Sequence, residues 1–201
     1  MPASNDSVLD EILDAARSCV LEFGASRTTL SEVARRSGRS RPTIYSRWSD
    51  ARAMVADVLT REMLDIIEQA RPDDAADARA VLVDHVVAIT AAVRADALFR
   101  KLVAVDQDML ATYVFQRLGS SQQASVRMLE GWVRKGQQDG SIRPGKPAVL
   151  ARMVLLTAQS AIQSAQLVAD RLPPKQLDRE LRHLLDCYLE PPALADVADK
   201  S

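Results

Sequence analysis

Residues 28–48, TTLSEVARRSGRSRPTIYSRW, predict two short helices joined by a tight turn. In the first helix, at about residues 30–37, Thr29 can cap the amino terminus and Glu32 follows three residues later, as in a capping box. Gly38 can adopt the left-handed backbone that ends a helix at little conformational cost. The apolar face of this helix consists of Leu30, Val33 and Ala34.

A second, shorter helix follows the turn. Ser40 can cap its amino terminus, and Pro42 falls in its first turn, where a missing N–H costs nothing. Ile44 and Trp48 are four residues apart and point one face inward. The opposite face presents Arg41, Thr43, Tyr45, Ser46 and Arg47. Reading of the major groove requires such a short, supported helix with Arg, Thr and Tyr exposed, so the stretch predicts a helix-turn-helix DNA-binding motif.

Charge favours this interpretation over ordinary helix packing, because short amphipathic helices around a glycine also occur in proteins that never bind nucleic acid. Between residues 27 and 52 seven arginines stand against two acids, an excess of five positive charges, whereas the whole chain has a net charge of −1. The arginines are residues 27, 35, 36, 39, 41, 47 and 52, and the acids are Glu32 and Asp50. A basic segment in a nearly neutral chain is typical of a nucleic-acid-binding surface.

These residues resemble the DNA-binding domain of the TetR (tetracycline-repressor-like) family of bacterial transcriptional regulators. The matching features, within about residues 9–55, are Phe23-Gly24, Thr29 with Val33-Ala34, Gly38, Thr43-Ile44-Tyr45 and Trp48. The resemblance implies a helical DNA-binding domain followed by a helical effector-binding and dimerisation domain. The chain departs from the family pattern in a slightly short loop after Phe23. It also has Ala51, followed by Arg52, where the family usually has a phosphate-binding Lys.

Chemistry assigns the exposed residues of the motif to two kinds of DNA contact. Arg41 can pair with guanine O6 and N7, while Pro42 and Thr43 can contact a thymine methyl group. Tyr45 and Arg47 suit phosphates, as does the amino-terminal end of the first helix. The predicted DNA-binding residues are Thr28, Thr29, Ser31, Arg39, Ser40, Arg41, Pro42, Thr43, Tyr45 and Arg47. Arg35 and Arg36 stay open between phosphate contacts and solvated surface.

The remainder of the chain follows helical periodicity, and no segment alternates convincingly at the two-residue period of a strand. We therefore predict an all-α protein with a three-helix helix-turn-helix domain at residues 1–50 and a helical domain at residues 51–201. The predicted helices after the motif lie at about residues 51–71, 75–93, 97–105, 108–118, 120–138, 148–169 and 174–189. Since no apolar run approaches 18 residues and no leader is visible, we expect a cytoplasmic protein that does not enter a membrane.

The last two predicted helices favour a homodimer. Each is apolar over more than a third of its circumference, so that one face can join the core while another meets a second copy. The predicted interface consists of Ala151, Leu155, Ala158, Ile162, Ala165, Leu177, Leu181, Leu184 and Tyr188. A dimer would hold two recognition helices about 34–36 Å apart, one turn of duplex, and the family resemblance implies the same pairing. The alternative is that both stripes only complete the core of one chain.

The larger domain shows no catalytic or metal-binding pattern. His85 and His183 stand apart from any ligand-spaced cluster, and neither a glycine-rich phosphate loop nor a nucleophile elbow is present. We therefore predict no enzyme, no metal and no cofactor. An apolar or aromatic small-molecule effector is predicted instead, in a cavity between helices, with ordinary core packing as the alternative. Its candidate residues are Phe99, Leu102, Met109, Tyr113, Met128 and Trp132, with Phe115 nearby in the sequence.

Together these features predict a transcriptional regulator, most simply a repressor that binds a palindromic operator as a dimer and is released by its effector. The family resemblance implies that the effector binds beside the fourth helix and tilts it. Two alternatives remain open. One is a helix-turn-helix activator or architectural protein without effector control, which a fully packed middle domain would favour. The other is a helical enzyme or binding module whose first domain only resembles a DNA-binding domain. Absence of binding to duplex DNA would favour this alternative.

Overall fold

The chain is built from helices, as its periodicity predicts. The computed structural model describes residues 5–70, 77–106 and 118–192, and within these residues it contains no strand. The helices are α1 (Asn5–Phe23), α2 (Leu30–Ser37), α3 (Arg41–Tyr45), α4 (Ala51–Gln69), α5 (Ala78–Ala95), α6 (Ala97–Val105), α7 (Leu118–Gln138), α8 (Pro147–Gln163) and α9 (Pro174–Leu189). Two 3-10 turns lie at Ala25–Arg27 and Ala165–Val168. The predicted all-α class is confirmed.

Local sequence signals set most helix ends. The Asp50 carboxylate accepts a hydrogen bond from the N–H of Ala53 at 2.8 Å and so caps α4, as predicted. The bounds of α6 and α9 agree with the sequence prediction. The helix predicted at residues 148–169 instead ends at Gln163, because the following residues tighten into a 3-10 turn before Pro173. The helix predicted at residues 108–118 lies almost wholly outside the described residues.

The structure divides into two compact units. The first is formed within residues 1–68 and 93–121 and includes α1, α2, α3, most of α4 and α6. Its core contains Ile12, Leu13, Ala16, Val20, Leu30, Val33, Ile44, Trp48, Val55, Val58, Leu59, Leu98, Phe99 and Leu102. Burial of each larger apolar side chain stabilises the fold by roughly 1.5–3 kcal/mol, so this core holds α2 and α3 on a rigid support. The domain boundary predicted at residue 50 stays a prediction.

The second unit is formed within residues 69–92 and 122–201. Its core draws on α5, α7, α8 and α9 and contains Leu82, Val83, Val86, Val87, Val126, Leu129, Val133, Ile142, Leu150, Ala151, Val154, Leu181, Leu185 and Leu189. His85 is also buried, and its ring Nδ1 donates a hydrogen bond to the carbonyl of Ala70 at 2.7 Å. This bond ties α5 to Ala70 of the same unit and gives His85 a structural role.

Candidate DNA-binding site and associated surfaces

The ends of α2 are formed by the residues that the sequence indicated. The hydroxyl of Thr29 accepts a hydrogen bond from the N–H of Glu32 at 3.2 Å. Gly38 has a φ of 66°, where a side chain would be strained, and the N–H of Arg39 then donates to the carbonyl of Ala34 at 3.1 Å. The tight turn between α2 and α3 is therefore encoded locally.

Helix α3 begins and packs as predicted. The hydroxyl of Ser40 accepts from the N–H of Thr43 at 3.3 Å, and Pro42 occupies the first turn. Ile44 and Trp48 are 0% and 2% exposed, and both belong to the core of the first unit. The indole N–H of Trp48 also donates to the Asp57 carboxylate at 2.8 Å, which joins the end of α3 to α4. The short helix is thus fixed on one side.

The other side of α3 is open. Arg41, Pro42, Thr43 and Arg47 are exposed, and Tyr45 is 53% exposed. Neither the Arg41 nor the Tyr45 side chain has a hydrogen bond or an ion pair with another described residue. The Arg47 guanidinium lies 5.9 Å from the ring centre of Trp48 and makes a cation–π contact. A rigid helix that presents unpaired polar side chains can place them against base edges and phosphates.

Thr28 does not belong to this exposed surface. Its side chain is 4% exposed, and its hydroxyl donates to the carbonyl of Gly24 at 2.9 Å. Its N–H is also used, in a bond to the carbonyl of Ala25 at 3.2 Å. The sequence prediction of a direct DNA contact by Thr28 is therefore corrected: both of its donors close the turn before α2. Ser31 is half-buried, and Thr29 and Ser40 are exposed.

Three of the seven arginines of the basic segment are paired with acids of α1 and α2. Arg35 donates to Glu32 in a bidentate pair at 2.6 and 2.9 Å, and these hydrogen bonds lower the pKa of Glu32. Arg36 donates to Glu22 at 2.7 Å. Arg39 forms an ion pair with Glu11 of α1. Four arginines of the segment remain without such pairing among the described residues, namely Arg27, Arg41, Arg47 and Arg52, and two of them, Arg41 in α3 and Arg47 just after it, belong to the exposed face of the motif.

A shallow hollow of about 480 Å³ lies on the surface of α2 and the start of α3. It is lined by Thr29, Ser31, Glu32, Ala34, Arg35, Arg39 and Arg41. The Nε of Arg39 is buried and has no hydrogen-bond partner among the described residues. Hydroxyls and guanidinium groups around a hollow of this kind suit a phosphate oxygen.

The sequence analysis did not identify a set of carboxylates that form hydrogen bonds and ion pairs with the segments supporting α2 and α3. Asp106, just after α6, accepts hydrogen bonds from the N–H groups of Ala25 and Ser26 at 2.7 and 3.0 Å. Burial alone would raise the pKa of Asp106, but these bonds and one from the Ser26 hydroxyl hold it below its ordinary value. These partners are 80 and 81 residues away in sequence, so no local pattern could have indicated them.

A second group of charged side chains connects α1, α4 and the start of α6. Arg17 donates to both oxygens of Glu62 at 2.8 Å and lies 3.9 Å from the Asp96 carboxylate. The Arg17 guanidinium holds the pKa of Glu62 below its ordinary value. Burial and the neighbouring Glu62 carboxylate raise the pKa of Asp96.

The carboxy-terminal helices present an apolar face that includes part of the predicted interface set. Ala151 and Leu181 are 0% and 4% exposed and belong to the core of the second unit, so they expose little surface of their own; the interface itself stays a prediction. Tyr188 is half-buried beneath the guanidinium of Arg143, 4.5 Å from its ring centre. Leu184 of the predicted set is exposed, and so are Val149, Met153, Leu156, Leu167 and Val168, which lie outside that set.

A groove of about 520 Å³ lies on the same face of α8 and α9. Its apolar lining consists of Leu156, Ala161, Ala165, Val168, Leu172, Leu177, Leu181 and Leu184. Leu155, Ala158 and Ile162 of α8 are half-buried, and Leu155 and Ala158 pack against the core of the second unit. Periodicity identified the two helices correctly but did not show which apolar stripe faces the core.

The candidate effector residues are distributed over both units. Phe99 and Leu102 are 4% and 0% exposed and belong to the core of the first unit. Met128 and Trp132 are half-buried in the second unit, where the Lys135 ammonium lies 5.2 Å from the ring of Trp132. Met109, Tyr113 and Phe115 lie outside the described residues. Trp132 packs against the core of the second unit, and the effector-binding role of these residues stays a prediction.

The described part of the chain offers neither a metal site nor a membrane-spanning helix. No group of three or more His, Cys, Asp or Glu side chains there is arranged to hold a metal ion. None of its helices combines the length and apolar character needed to cross a membrane.

The fold and the open face of α3 define a helix-turn-helix DNA-binding protein. Residues 12–58 match the family described as bacterial regulatory proteins, tetR family. An uncharacterised HTH-type transcriptional regulator of Mycobacterium tuberculosis strain H37Rv is 42% identical over 178 residues, which span 89% of this chain and 92% of that protein. The chain belongs to the TetR family of transcriptional regulators. This family agrees with the prediction that the chain is not an enzyme.

Solved structures share the fold. The regulator FadR from Bacillus subtilis in complex with stearoyl-CoA has a TM-score of 0.68 at 20% identity, over 90% of this chain and 99% of that chain. The complex of SmeT with triclosan has a TM-score of 0.62 at 21% identity, over 97% and 98% of the two chains. At this level of identity the likeness supports the architecture and not the ligand.

Proposed function

We propose that this TetR-family regulator binds a palindromic duplex operator as a homodimer and acts as a repressor that a small apolar effector releases. The observation that carries the proposal is the open face of α3, where Arg41, Thr43 and Tyr45 project from a helix that Ile44 and Trp48 fix to the core. Only the exposed residues of a rigidly held helix can read a groove reproducibly.

In the proposed complex the open face of α3 enters the major groove. Arg41 reads guanine, and Pro42 and Thr43 contact thymine methyl groups. Tyr45 and Arg47 bind phosphates. Thr29, Ser31, Arg39 and Ser40 border a second phosphate position at the start of α2 and in the turn, where the helix amino terminus adds a favourable dipole.

The homodimer is proposed to form through α8 and α9. Val149, Met153, Leu156 and Leu184 are 52%, 43%, 58% and 52% exposed in the single chain, and the apolar groove runs beside them. An apolar face of this kind on a soluble domain is typical of a protein–protein interface. A twofold pairing would also supply the two α3 helices that a palindromic operator needs.

An apolar or aromatic effector is proposed for the larger domain. Support comes from similar structures with such ligands, stearoyl-CoA in FadR and triclosan in SmeT. An effector that binds one conformation of the dimer more tightly would shift the spacing of the two α3 helices and so release the operator.

The test is selection of bound duplexes from a randomised pool by the full-length protein at about 0.15 M salt, close to physiological ionic strength. We expect an inverted repeat, bound far more tightly than scrambled duplex. Recovery of duplexes without a common sequence would contradict the proposal and favour a helical binding module. Stearoyl-CoA and triclosan are then added to the protein–DNA complex. Release by either supports effector control, whereas unchanged affinity with both favours the regulator without an effector.

A further inference from the structure

Helix α6 is bound to the DNA-reading helices at both of its ends. At its start, Asp96 caps α6 by accepting from the N–H groups of Leu98 and Phe99 at 2.8 and 2.9 Å, while its other oxygen lies 3.9 Å from Arg17 of α1. At its end, Asp106 binds the 3-10 turn between α1 and α2. All of these residues belong to the first compact unit.

The bond network at Asp106 is the more complete of the two. Asp106 is 5% exposed, and its carboxylate accepts from three donors: the N–H of Ala25, the N–H of Ser26 and the Ser26 hydroxyl. The two N–H groups begin a 3-10 turn and have no partner within that turn, so a carboxylate from elsewhere in the chain satisfies them. A buried carboxylate with several charged hydrogen bonds fixes its partners strongly.

The neighbouring glycine is required by this contact. Gly24 has a φ of 89°, and a Cβ at this position would lie 2.9 Å from an oxygen of Asp106. Any other residue would therefore be strained and would push the carboxylate away. Gly24 permits both the bend after α1 and the close approach of Asp106.

The turn held by Asp106 leads directly to α2. The hydroxyl of Thr28 donates to the carbonyl of Gly24 at 2.9 Å, and the next residue, Thr29, caps α2. Hydrogen bonds thus tie Asp106 to the turn and the turn to Thr28, which precedes the α2 cap Thr29 in the chain. Because α2 is joined to α3 by a tight glycine turn, the position of this terminus affects the recognition helix.

We propose that Asp106 is a positioning residue for operator recognition, which makes α6 a second support of the reading helices besides α4. This inference rests on the proposed DNA-binding function. It assigns the carboxylate no contact with DNA: Asp106 acts by fixing the angle at which α2 and α3 leave α1. Loss of the contact should therefore weaken recognition of the correct sequence more than general attraction to duplex.

The test compares full-length variants on the duplex selected by the unaltered protein and on scrambled duplex. Asp106→Asn keeps the shape, but its amide group directs a donor toward the N–H of Ala25 or Ser26 in either orientation. The matched control is Asp139→Asn in the second unit, since Asp139 likewise accepts from the N–H groups of Ser141 and Ala78 at 2.9 and 3.1 Å. Circular dichroism establishes that each variant is folded.

We expect Asp106→Asn to bind the selected duplex about tenfold more weakly or worse and scrambled duplex nearly as before, with Asp139→Asn unchanged on both. An equal loss on both duplexes, or no loss, in a folded variant would overturn the inference. If Asp106→Asn does not fold, Ser26→Ala decides, because it removes a single donor: a selective loss of about two- to threefold supports the inference, and none overturns it. Failure of the unaltered protein to select any duplex would instead refute the proposed function as well.

Discussion

The guanidinium of Arg39, in the turn between α2 and α3, forms an ion pair with the carboxylate of Glu11 on α1. Arg39 also borders the hollow proposed for a phosphate, so Glu11 occupies the guanidinium that a phosphate would use. Both side chains are partly exposed, at 33% and 53%, and such a pair contributes only ~0–1 kcal/mol to stability. The pair can therefore be exchanged for a phosphate contact at small cost.

We expect Glu11→Gln to raise affinity for duplex DNA. In this variant Arg39 has no ion pair with residue 11 that must be broken before its guanidinium can bind a phosphate. The slope of log affinity against log salt concentration should stay nearly the same, because Arg39 binds the same phosphate in both proteins and only the competing carboxylate is removed. Affinities are measured at several salt concentrations. Asp14→Asn is the matched control, since it removes an equal charge from α1 but one that pairs with Arg61 of α4. The same change in both variants would show a general charge effect and contradict an exchange at Arg39.

Arg41→Ala is expected to relax the sequence preference of the protein. A bidentate pair with guanine contributes ~1–3 kcal/mol of discrimination, so the preferred base at one position of each half-site should be lost. Repeated selection from the randomised pool measures this directly. Arg35→Ala removes the same charge from a side chain that is 70% exposed and paired with Glu32. An unchanged consensus with Arg41→Ala would refute the assignment of Arg41 to a base.

Tyr45→Phe should weaken binding to selected and scrambled duplexes by a similar factor. The ring stays in place and only the exposed hydroxyl is removed, so a phosphate contact is lost without a change in base readout. Competition measurements with both duplexes determine the two factors. A loss confined to the selected duplex would instead assign Tyr45 to a base edge.

Local sequence signals predicted the helix-turn-helix motif of α2 and α3 well, because each signal involves residues only a few positions apart. The Thr29 cap, the left-handed Gly38 and the burial of Ile44 all depend on spacings of one to four residues. The same reasoning could not separate Thr28 from Thr29, since either hydroxyl could face solvent. Only the turn geometry, in which Thr28 bonds to Gly24, decides that Thr28 is buried.

Contacts between residues far apart in the sequence could not be predicted, because the local sequence pattern does not specify the partner. Periodicity shows that a helix face is apolar but not what covers it, so Ala151 and Leu181 were expected at an interface although they fill the core of one chain. Asp106 belongs to no motif, because its partners at the turn are about 80 residues away and are backbone N–H groups that any sequence possesses.

Leu184→Glu is expected to convert the proposed dimer into a monomer. Leu184 is 52% exposed in the single chain, so the substitution costs the monomer little but would bury an unpaired charge in a twofold interface. Sedimentation or light scattering at micromolar concentration gives the mass. The control is Leu64→Glu on α4, at a leucine that is 60% exposed. A monomeric unaltered protein, or a dimer that survives Leu184→Glu, would exclude this interface.

Acid should remove the stabilising effect of Asp106. Its pKa is lower in the folded chain than the ordinary value of about 3.9, so the contribution is complete above that value and is lost as pH falls through the lower folded pKa. The free energy of unfolding of the unaltered chain should therefore exceed that of Asp106→Asn at neutral pH, by ~1–3 kcal/mol, and the difference should shrink below pH ~4. Titratable groups common to both chains cancel in this difference.

Urea unfolding followed by Trp48 fluorescence in a Trp132→Phe background reports on the first unit, where Trp48 is buried. If the difference in the free energy of unfolding is as large at pH ~3 as at neutral pH, the ionised form of the Asp106 carboxylate is not the form that stabilises the contact.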